Sequence, residues 1–220
     1  MNKSSYSIEA VEYINGGNDR AVDAREKYKN DFPGRTARRM THLGIMVSLC
    51  LQKMNVERGT PIVYASAFAE SSSLEKFIDS FPEASPALFQ SSIHPSAVEQ
   101  ALIPGKKAID RFYPITSDTD LGGKALETCF LMGEENMIMV GGEERGTWLC
   151  EYGLASKESF AFSLKLRRGT GGIGSVSIDP LALTTCDHSP DFSSFARAIE
   201  RRESIRVPSF ALGSWIRIDW

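Results

Sequence analysis

An apolar helix pattern followed directly by a compact apolar strand is the feature that most restricts how this chain can fold. Residues 121–133 carry apolar side chains on most sides of a helix, among them Leu121, Leu126 and Phe130. A helix that is apolar nearly all round is usually buried between layers of other structure. Residues 136–140 then form a short apolar strand pattern. The pair predicts a buried central helix beside a sheet, in a layered α/β domain.

Helix and strand patterns alternate along the rest of the chain. Apolar residues at intervals of three and four over 36–54 predict an amphipathic helix, and 61–67 reads as a buried strand. The remaining patterns predict helices at 71–81, 96–102 and 190–202 and strands at 108–115, 160–166 and 215–218. Because strands cluster near the end of the chain, we expect a mixed sheet rather than a purely parallel one.

We expect the 220 residues to form a single domain, 1–220. Residues 1–34 are mostly polar and carry a turn signal at Gly16 and Gly17, so they are predicted to be a peripheral lead-in. No repeat or linker divides the remainder.

Two local patterns carry further predictions. The alternating residues 160–166, the glycine-rich residues 169–174 and the pair Val176 and Ile178 predict a β-hairpin. The residues Glu143 to Arg145 follow a strand and are predicted to form an exposed turn.

Charge and cysteine spacing limit the partners that we expect. A formal net charge of −3 offers no basic surface for nucleic acid. No apolar run reaches the length of a membrane span, and the polar start has no signal-peptide pattern, so we expect a cytoplasmic protein. The cysteines show no CxxC spacing, so we expect no metal site; they are Cys50, Cys129, Cys150 and Cys186.

Short motifs occur in a fixed order between residues 35 and 168. RRM (38–40) opens the first long helix pattern, and SPALF (85–89) precedes SSIH (91–94). GGKAL (122–126) opens the apolar helix, and the strand after it ends in GGE (141–143). The alternating strand at 160–166 completes the set.

In this order and spacing, residues 35–168 resemble the amino-terminal half of the β-ketoacyl synthases, the condensing enzymes of thiolase-like fold. The set is most similar to the chain-length-factor-like subunits of aryl polyene and type II polyketide systems. The resemblance implies a layered thiolase-like half-fold with a mixed sheet and a buried central helix.

The same resemblance shows which catalytic group is missing. In the family a cysteine starts the buried helix, where the helix dipole favours the thiolate. Aligned on GGKAL, that position is Thr119, flanked by Asp118 and Asp120. A threonine hydroxyl does not become a nucleophile without a positioned base, and neighbouring carboxylates raise the pKa of an acid. We therefore predict no catalytic residue here.

The family's catalytic histidines come from a second half-domain, and His42, His94 and His188 do not match them. We predict a non-catalytic subunit that pairs with a catalytic ketosynthase in polyketide, aryl polyene or fatty-acid-like biosynthesis. It would help to shape the acyl pocket and the chain length, without a cofactor. Acyl carrier protein is a second candidate partner, whose acidic surface the arginines near the first helix could contact: Arg35, Arg38 and Arg39.

The resemblance also suggests two groups of site residues. In this family the strand before the nucleophile helix usually pairs across the dimer interface, which makes the apolar residues of that strand the interface candidates: Ile109, Phe112, Tyr113 and Ile115. The acyl-pocket candidates come from the SPALF and SSIH motifs: Phe89, Ser92 and His94.

Two other functions remain open on the sequence. One is a small acyl-transfer or hydrolytic enzyme that uses Ser or Cys, with Cys129, or Ser92 together with His94, as its candidates. No G-x-S-x-G motif supports it. The other is a self-associating scaffold without an acyl ligand.

Overall fold

A computed structural model describes residues 5–17, 21–33, 36–103, 108–182 and 189–220. Its strands are β1 (Ser5–Gly17), β2 (Ile62–Ala65), β3 (Phe112–Ile115), β4 (Asn136–Glu143), β5 (Ser159–Arg168), β6 (Gly174–Ala182), β7 (Ile205–Ser209) and β8 (Ser214–Asp219). The α-helices in these ranges are α1 (Ala21–Lys27), α2 (His42–Lys53), α3 (Ser71–Asp79), α4 (Pro86–Ser92), α5 (Ser96–Leu102), α6 (Leu121–Met132) and α7 (Phe192–Arg201). Short 3-10 helices span Thr36–Arg39 and Trp148–Tyr152. Arg35, Cys186 and His188 lie outside the described residues.

The strands form one eight-stranded sheet in the order β3-β2-β4-β5-β1-β6-β8-β7. β3, β2 and β4 are parallel, and the other neighbouring pairs are antiparallel. α6 and α7 pack on one face, where Leu126 and Phe195 are fully buried. α2 and α5 pack on the other, where Leu43 and Val98 are fully buried. The predicted layered α/β class with a mixed sheet is confirmed.

The apolar helix predicted at 121–133 is α6. Its two first-turn glycines let it lie close to its neighbours, because a Cβ on Gly122 would come within 2.7 Å of the Phe195 ring and one on Gly123 within 2.5 Å of the Pro208 carbonyl oxygen. Burial is strongest on the side that faces the sheet, while Leu131 remains 57% exposed. The start of α6 is thereby fixed against α7 and β7.

The prediction that residues 1–34 form a peripheral lead-in is wrong for 5–17. These residues are β1, which lies between β5 and β6 inside the sheet. Tyr6 and Ile8 are buried in the core on the α6 side. The sequence pattern was misleading because β1 also carries charged positions such as Glu9, which forms an ion pair with Arg167 at 3.1 Å near the sheet surface.

The predicted hairpin between 160–166 and the pair Val176 and Ile178 is also wrong. Both segments are strands, but β1 separates β5 from β6. The glycine-rich turn passes over β1, and Gly172 has a φ of +89° with no room for a Cβ beside the Ile8 carbonyl oxygen. A close approach of two backbones at positive φ explains the glycine. The sequence shows two adjacent strands, whereas only tertiary structure shows what lies between them.

The residues Glu143 and Glu144 do not form the exposed turn that was predicted. β4 continues through Gly141 and Gly142 to Glu143, and both glutamates are almost fully buried, at 3% and 2% exposure. Arg145 is exposed, as expected. Nearby backbone N–H groups donate hydrogen bonds to these carboxylates and so compensate for their burial, which a sequence pattern does not reveal.

Several boundaries differ from the predicted ones. The 36–54 pattern is a 3-10 helix followed by α2, whose first turn is capped by the Thr41 hydroxyl accepting from the Gly44 N–H at 2.8 Å. α4 and β7 were not predicted, and Ile109 lies before β3 rather than in it.

Within the described ranges, no helix is both long and apolar enough to cross a membrane. The single-domain assignment for 1–220 stays a prediction.

Candidate functional site

A cleft of about 930 Å³ opens at the amino-terminal tip of α6. We call it the helix-tip cleft. Its walls are formed by three segments, residues 117–121, 155–158 and 189–193. Side chains from β4, β5 and the β7–β8 region complete them. The predicted nucleophile-equivalent residue and its two neighbours all line it: Asp118, Thr119 and Asp120.

The turn before α6 is closed by its own hydrogen bonds. The Ser117 hydroxyl donates to the Thr119 carbonyl oxygen at 2.7 Å and accepts from Lys124 Nζ at 2.5 Å. Asp120 adopts a left-handed conformation, with φ 54°, and its side chain does not cap the helix. Thr119 is exposed, and the lining residues in the described part of the chain include no His or Cys that could activate it.

Aromatic side chains form the apolar part of the helix-tip cleft. Phe160 and Phe192 pack with ring centroids 5.7 Å apart. Trp215 is 6% exposed and carries the Arg206 guanidinium over its ring at 5.2 Å. Phe210 closes this side but is 66% exposed. An apolar floor with a few polar groups at its rim suits an apolar chain with a polar end.

Glu143 connects the helix-tip cleft to the buried end of β4. Its Oε1 accepts from the Ala67 N–H at 2.6 Å and its Oε2 from the Phe68 N–H at 3.1 Å. Burial raises the pKa of Glu143 to about 7, against the opposing effect of these N–H groups. Near neutral pH this carboxyl therefore exists in both protonation states.

Two further buried glutamates lie close to Glu143, and we call Glu70, Glu143 and Glu144 the glutamate cluster. Burial raises the pKa of Glu70 to about 8, opposed by the Ser96 hydroxyl, which donates to its Oε1 at 2.7 Å. Burial likewise raises the pKa of Glu144 to about 7. No motif pointed to these residues, because glutamate is normally an exposed residue type. The position of Glu143 and Glu144 at the end of a buried strand was the only available signal, and Glu70 had none.

The acyl-pocket candidates lie elsewhere. Phe89 is 51% exposed and packs against Phe77 at 5.3 Å between ring centroids. His94 stacks on the buried Tyr64 at 4.9 Å. Phe89, Ser92 and His94 do not line the helix-tip cleft. Their assignment to an acyl pocket stays a prediction.

The geometry does not assemble the Ser or Cys site of the alternative enzyme. The Ser92 hydroxyl donates to the Phe89 carbonyl oxygen at 2.8 Å, and His94 Nε2 has no hydrogen-bond partner among the described residues. Burial raises the pKa of the Cys129 thiol to about 12 and also raises that of Cys50. Both thiols are therefore protonated near neutral pH, and the thiolate is the nucleophilic form.

The interface candidates lie at or beside an edge of the sheet. Among the described strands, β3 pairs with β2 alone. Its side chains reach both cores: Ile109 and Phe112 pack on the α2 side, Tyr113 and Ile115 on the α6 side. All four are partly buried, so part of each side chain remains available at the edge.

The main chain of β3 limits how a partner could pair with this edge. The Arg111 carbonyl oxygen accepts from the Ile62 N–H at 3.1 Å, and that of Ile115 from the Ser66 N–H at 3.2 Å. Because alternate residues of a strand bond to opposite neighbours, the main-chain N–H and C=O groups of Phe112 and the C=O group of Pro114 point away from β2, toward the open edge. Proline has no N–H, so a continuous hydrogen-bonded ladder across this edge is interrupted at Pro114.

Metal ligation has no support in the described ranges, where no group of three His, Cys, Asp or Glu side chains could hold an ion.

Comparison with solved structures identifies the fold. A structure from Xenorhabdus doucetiae, the ketosynthase ApeO in complex with its chain length factor ApeC, matches with a TM-score of 0.69 and 16% identity, over 98% of this chain and 99% of that chain. The ishigamide ketosynthase/chain length factor matches with a TM-score of 0.57 and 11% identity, over 80% of this chain and 67% of that chain. This chain has the ketosynthase and chain length factor fold. No protein-family model and no curated protein sequence matches it.

The thiolase-like fold expected from the motifs is thereby confirmed. The similarity extends well beyond residues 35–168, to nearly the whole chain. The additional part includes β1 and the strands β6 to β8, in which the sequence motifs showed no resemblance.

Proposed function

We propose that this chain is a non-catalytic, chain-length-factor-like subunit that pairs with a catalytic β-ketoacyl synthase in the cytoplasm. The observation that carries the proposal is the composition of the α6 tip. By the alignment on GGKAL, this tip presents hydroxyls and carboxylates where a condensing enzyme needs a thiol, and the fold is one that ketosynthases share. The turn from Ser117 to Asp120 is also stabilised by the hydrogen bonds of the Ser117 hydroxyl to the Thr119 carbonyl oxygen and from Lys124 Nζ, which supports a structural role.

The helix-tip cleft supports a part in bounding the acyl chain. Phe160, Phe192 and Phe210 supply apolar walls, and the cleft of about 930 Å³ is of the size that holds small ligands. A wall that stops the growing chain at a fixed depth sets the product length. Acyl carrier protein would then approach the complex, with the exposed Arg38 and Arg39 as candidate contacts for its acidic surface.

We expect co-expression with a catalytic ketosynthase subunit to yield a stable complex. Tyr113→Ala is expected to weaken it by about tenfold or more, because aromatic side chains at an interface are often hot spots. Size-exclusion chromatography with light scattering and a titration of the purified subunits measure this. Tyr152→Ala, at a 70% exposed tyrosine outside β3, is the matched control and should bind as the parent does.

A thermal melt of each isolated variant shows whether a weakened complex reflects the interface or the fold. A chain that stays monomeric beside the ketosynthase, or becomes acylated at Thr119 when purified alone, would contradict the proposed function.

Enlarging the helix-tip cleft should lengthen the product of the complex. Phe210→Ala removes an exposed aromatic wall, so we expect the product distribution to shift to longer chains with little change in subunit stability. Phe81→Ala is the matched control, since Phe81 is 59% exposed and lies outside the cleft. Mass spectrometry of the extracted products measures the shift. An unchanged distribution in Phe210→Ala would remove this cleft from the acyl pocket.

A further inference from the structure

A second cleft, of about 1030 Å³, is lined by Glu144 at the end of β4. Glu143 lines the helix-tip cleft, and its neighbour Glu144 lines the second one. We call the second one the Trp148 cleft, after the residue beside Glu144 in its wall. Its other lining residues are mostly polar and include Ser72, Thr147, Glu151 and Lys157.

Two buried polar atoms in this wall have no hydrogen-bond partner among the described residues. One is Oε2 of Glu144, which is an acceptor when the carboxyl is ionised, on a side chain that is 2% exposed. The other is the indole Nε1 of Trp148, a donor. A buried group without a partner lowers stability, so most are satisfied in folded proteins. An acceptor and a donor that share one cleft favour a ligand that supplies the complementary pair.

The main-chain segment that carries Trp148 is held in place before any ligand arrives. The buried Glu75 carboxylate accepts from the Thr147 N–H at 2.6 Å, the Thr147 hydroxyl at 2.8 Å and the Leu149 N–H at 3.0 Å. These bonds fix the main chain on both sides of Trp148. A pre-organised wall loses little conformational freedom on binding.

The surroundings of Glu144 favour a neutral ligand. The backbone N–H groups of His42 and Ser72 stabilise its carboxylate, and the nearby Lys76 charge does the same. Arg145 and Lys157 add positive charge to the wall, and Glu151 adds negative charge. An added cation would meet these basic side chains, and an added anion would meet Glu144 and Glu151.

We propose that the Trp148 cleft binds a chain of secondary amides, in which one amide N–H donates to Glu144 Oε2 and a carbonyl oxygen of the same chain accepts from Trp148 Nε1. A secondary amide is neutral and carries one donor and one acceptor in a fixed geometry. Both a peptide main chain and a non-peptide amide chain have this chemistry. The site does not depend on the helix-tip cleft or on the proposed function.

The test uses the full chain labelled with ¹⁵N and follows the indole N–H signals of its three tryptophans. Trp148→Phe assigns the Trp148 signal. The Trp220 signal is an internal control, since its Nε1 already donates to the Glu203 carbonyl oxygen at 3.1 Å. The probe is N-acetyl-trialanine N-methylamide, added to ~20 mM so that millimolar Kd values are measurable.

The matched probes are depsipeptides in which one amide N–H of this peptide is replaced by an ester oxygen. We expect the peptide to shift the Trp148 signal saturably and the best-placed ester replacement to weaken binding about tenfold. N,N′-diacetyl-1,3-diaminopropane, a diamide that is not a peptide, identifies the source. Binding of both supports a general amide site, whereas binding of the peptide alone supports a main-chain site.

The Glu144→Gln variant tests the acceptor. The glutamine carbonyl oxygen takes the bonds from His42 and Ser72 and leaves its NH₂ group, a donor, at the Oε2 position. We expect the peptide to bind about tenfold more weakly and the preference over the ester to disappear. Glu83→Gln, at an exposed glutamate that does not line this cleft, should bind as the parent does.

Three results would overturn the proposal: no shift of the Trp148 signal with either amide, equal affinity for peptide and all esters, or unchanged preference in Glu144→Gln. The ester comparison uses the parent protein, so it decides the matter even if Glu144→Gln does not fold.

Discussion

Replacing Ile8 with alanine is expected to lower the free energy of unfolding by about 2–5 kcal/mol. Ile8 is 0% exposed, and its strand neighbours are Leu166 of β5 and Gly174 of β6. A Cβ on Gly174 would lie 3.3 Å from Ile8 Cδ1, so the isoleucine covers a backbone that has no side chain of its own. The cavity left by alanine cannot be filled from Gly174, which places the expected cost toward the upper end of the range.

Urea unfolding followed by circular dichroism measures this cost. Ile103→Ala is the matched control, because Ile103 is 71% exposed and should change stability by less than ~0.5 kcal/mol. Ile8→Val provides a milder step of about 0.5–1.5 kcal/mol if the alanine variant does not fold. Equal stability of the two alanine variants would mean that β1 is a peripheral segment after all.

Stability is expected to fall as pH rises from about 6.5 to about 8, because of the glutamate cluster. Burial raises the pKa of Glu70 from 4.5 to about 8 and those of Glu143 and Glu144 to about 7. Between these values the folded state keeps protons that the unfolded state has already lost. Raising the pH therefore favours unfolding until the folded carboxyls ionise as well. For Glu70 alone, the loss of stability between pH 6.5 and 8 is on the order of 2 kcal/mol.

The pH range from 6.5 to 8 separates the titration of the glutamate cluster from that of the other groups with shifted pKa values. Burial lowers the pKa of His94 below 6.5, which makes folding more favourable as pH rises, but only up to about that value. The lowered pKa values of Glu9 and Asp191 act below their ordinary values of 4.5 and 3.8. From pH 6.5 to 8 the glutamate cluster therefore dominates the expected slope.

Glu70→Gln should reduce the loss of stability between pH 6.5 and 8, measured as the difference in free energy of unfolding at the two values. Glutamine keeps an acceptor for the Ser96 hydroxyl and cannot ionise. Glu151→Gln, at an exposed position, is the matched control and should follow the parent. The same slope in Glu70→Gln and the parent would show that Glu70 does not titrate in this range.

The helices and strands that could be predicted are those whose pattern depends on residues close together in the sequence. α6 and β4 were recognisable because their apolar residues repeat at helix and strand spacing, and α7 because Phe195 and Ile199 share one helical face. The tip of α6 was placed by the GGKAL motif, whose glycines are needed for close contact with Phe195 and Pro208. Thr119 lies at the helix-tip cleft. Its equivalence to the family's nucleophile stays a prediction.

The sequence by itself determined the local elements, the layered α/β class and the absence of a thiol at the α6 tip, because periodicity and residue identity act over a few neighbours. Only the tertiary structure decided that β1 lies inside the sheet, between two strands that are adjacent in sequence. It also decided that Glu70, Glu143 and Glu144 are buried. Strand order and the burial of a charge depend on partners far away along the chain, such as Arg167 for Glu9 and Ser96 for Glu70, and no local pattern encodes those distances.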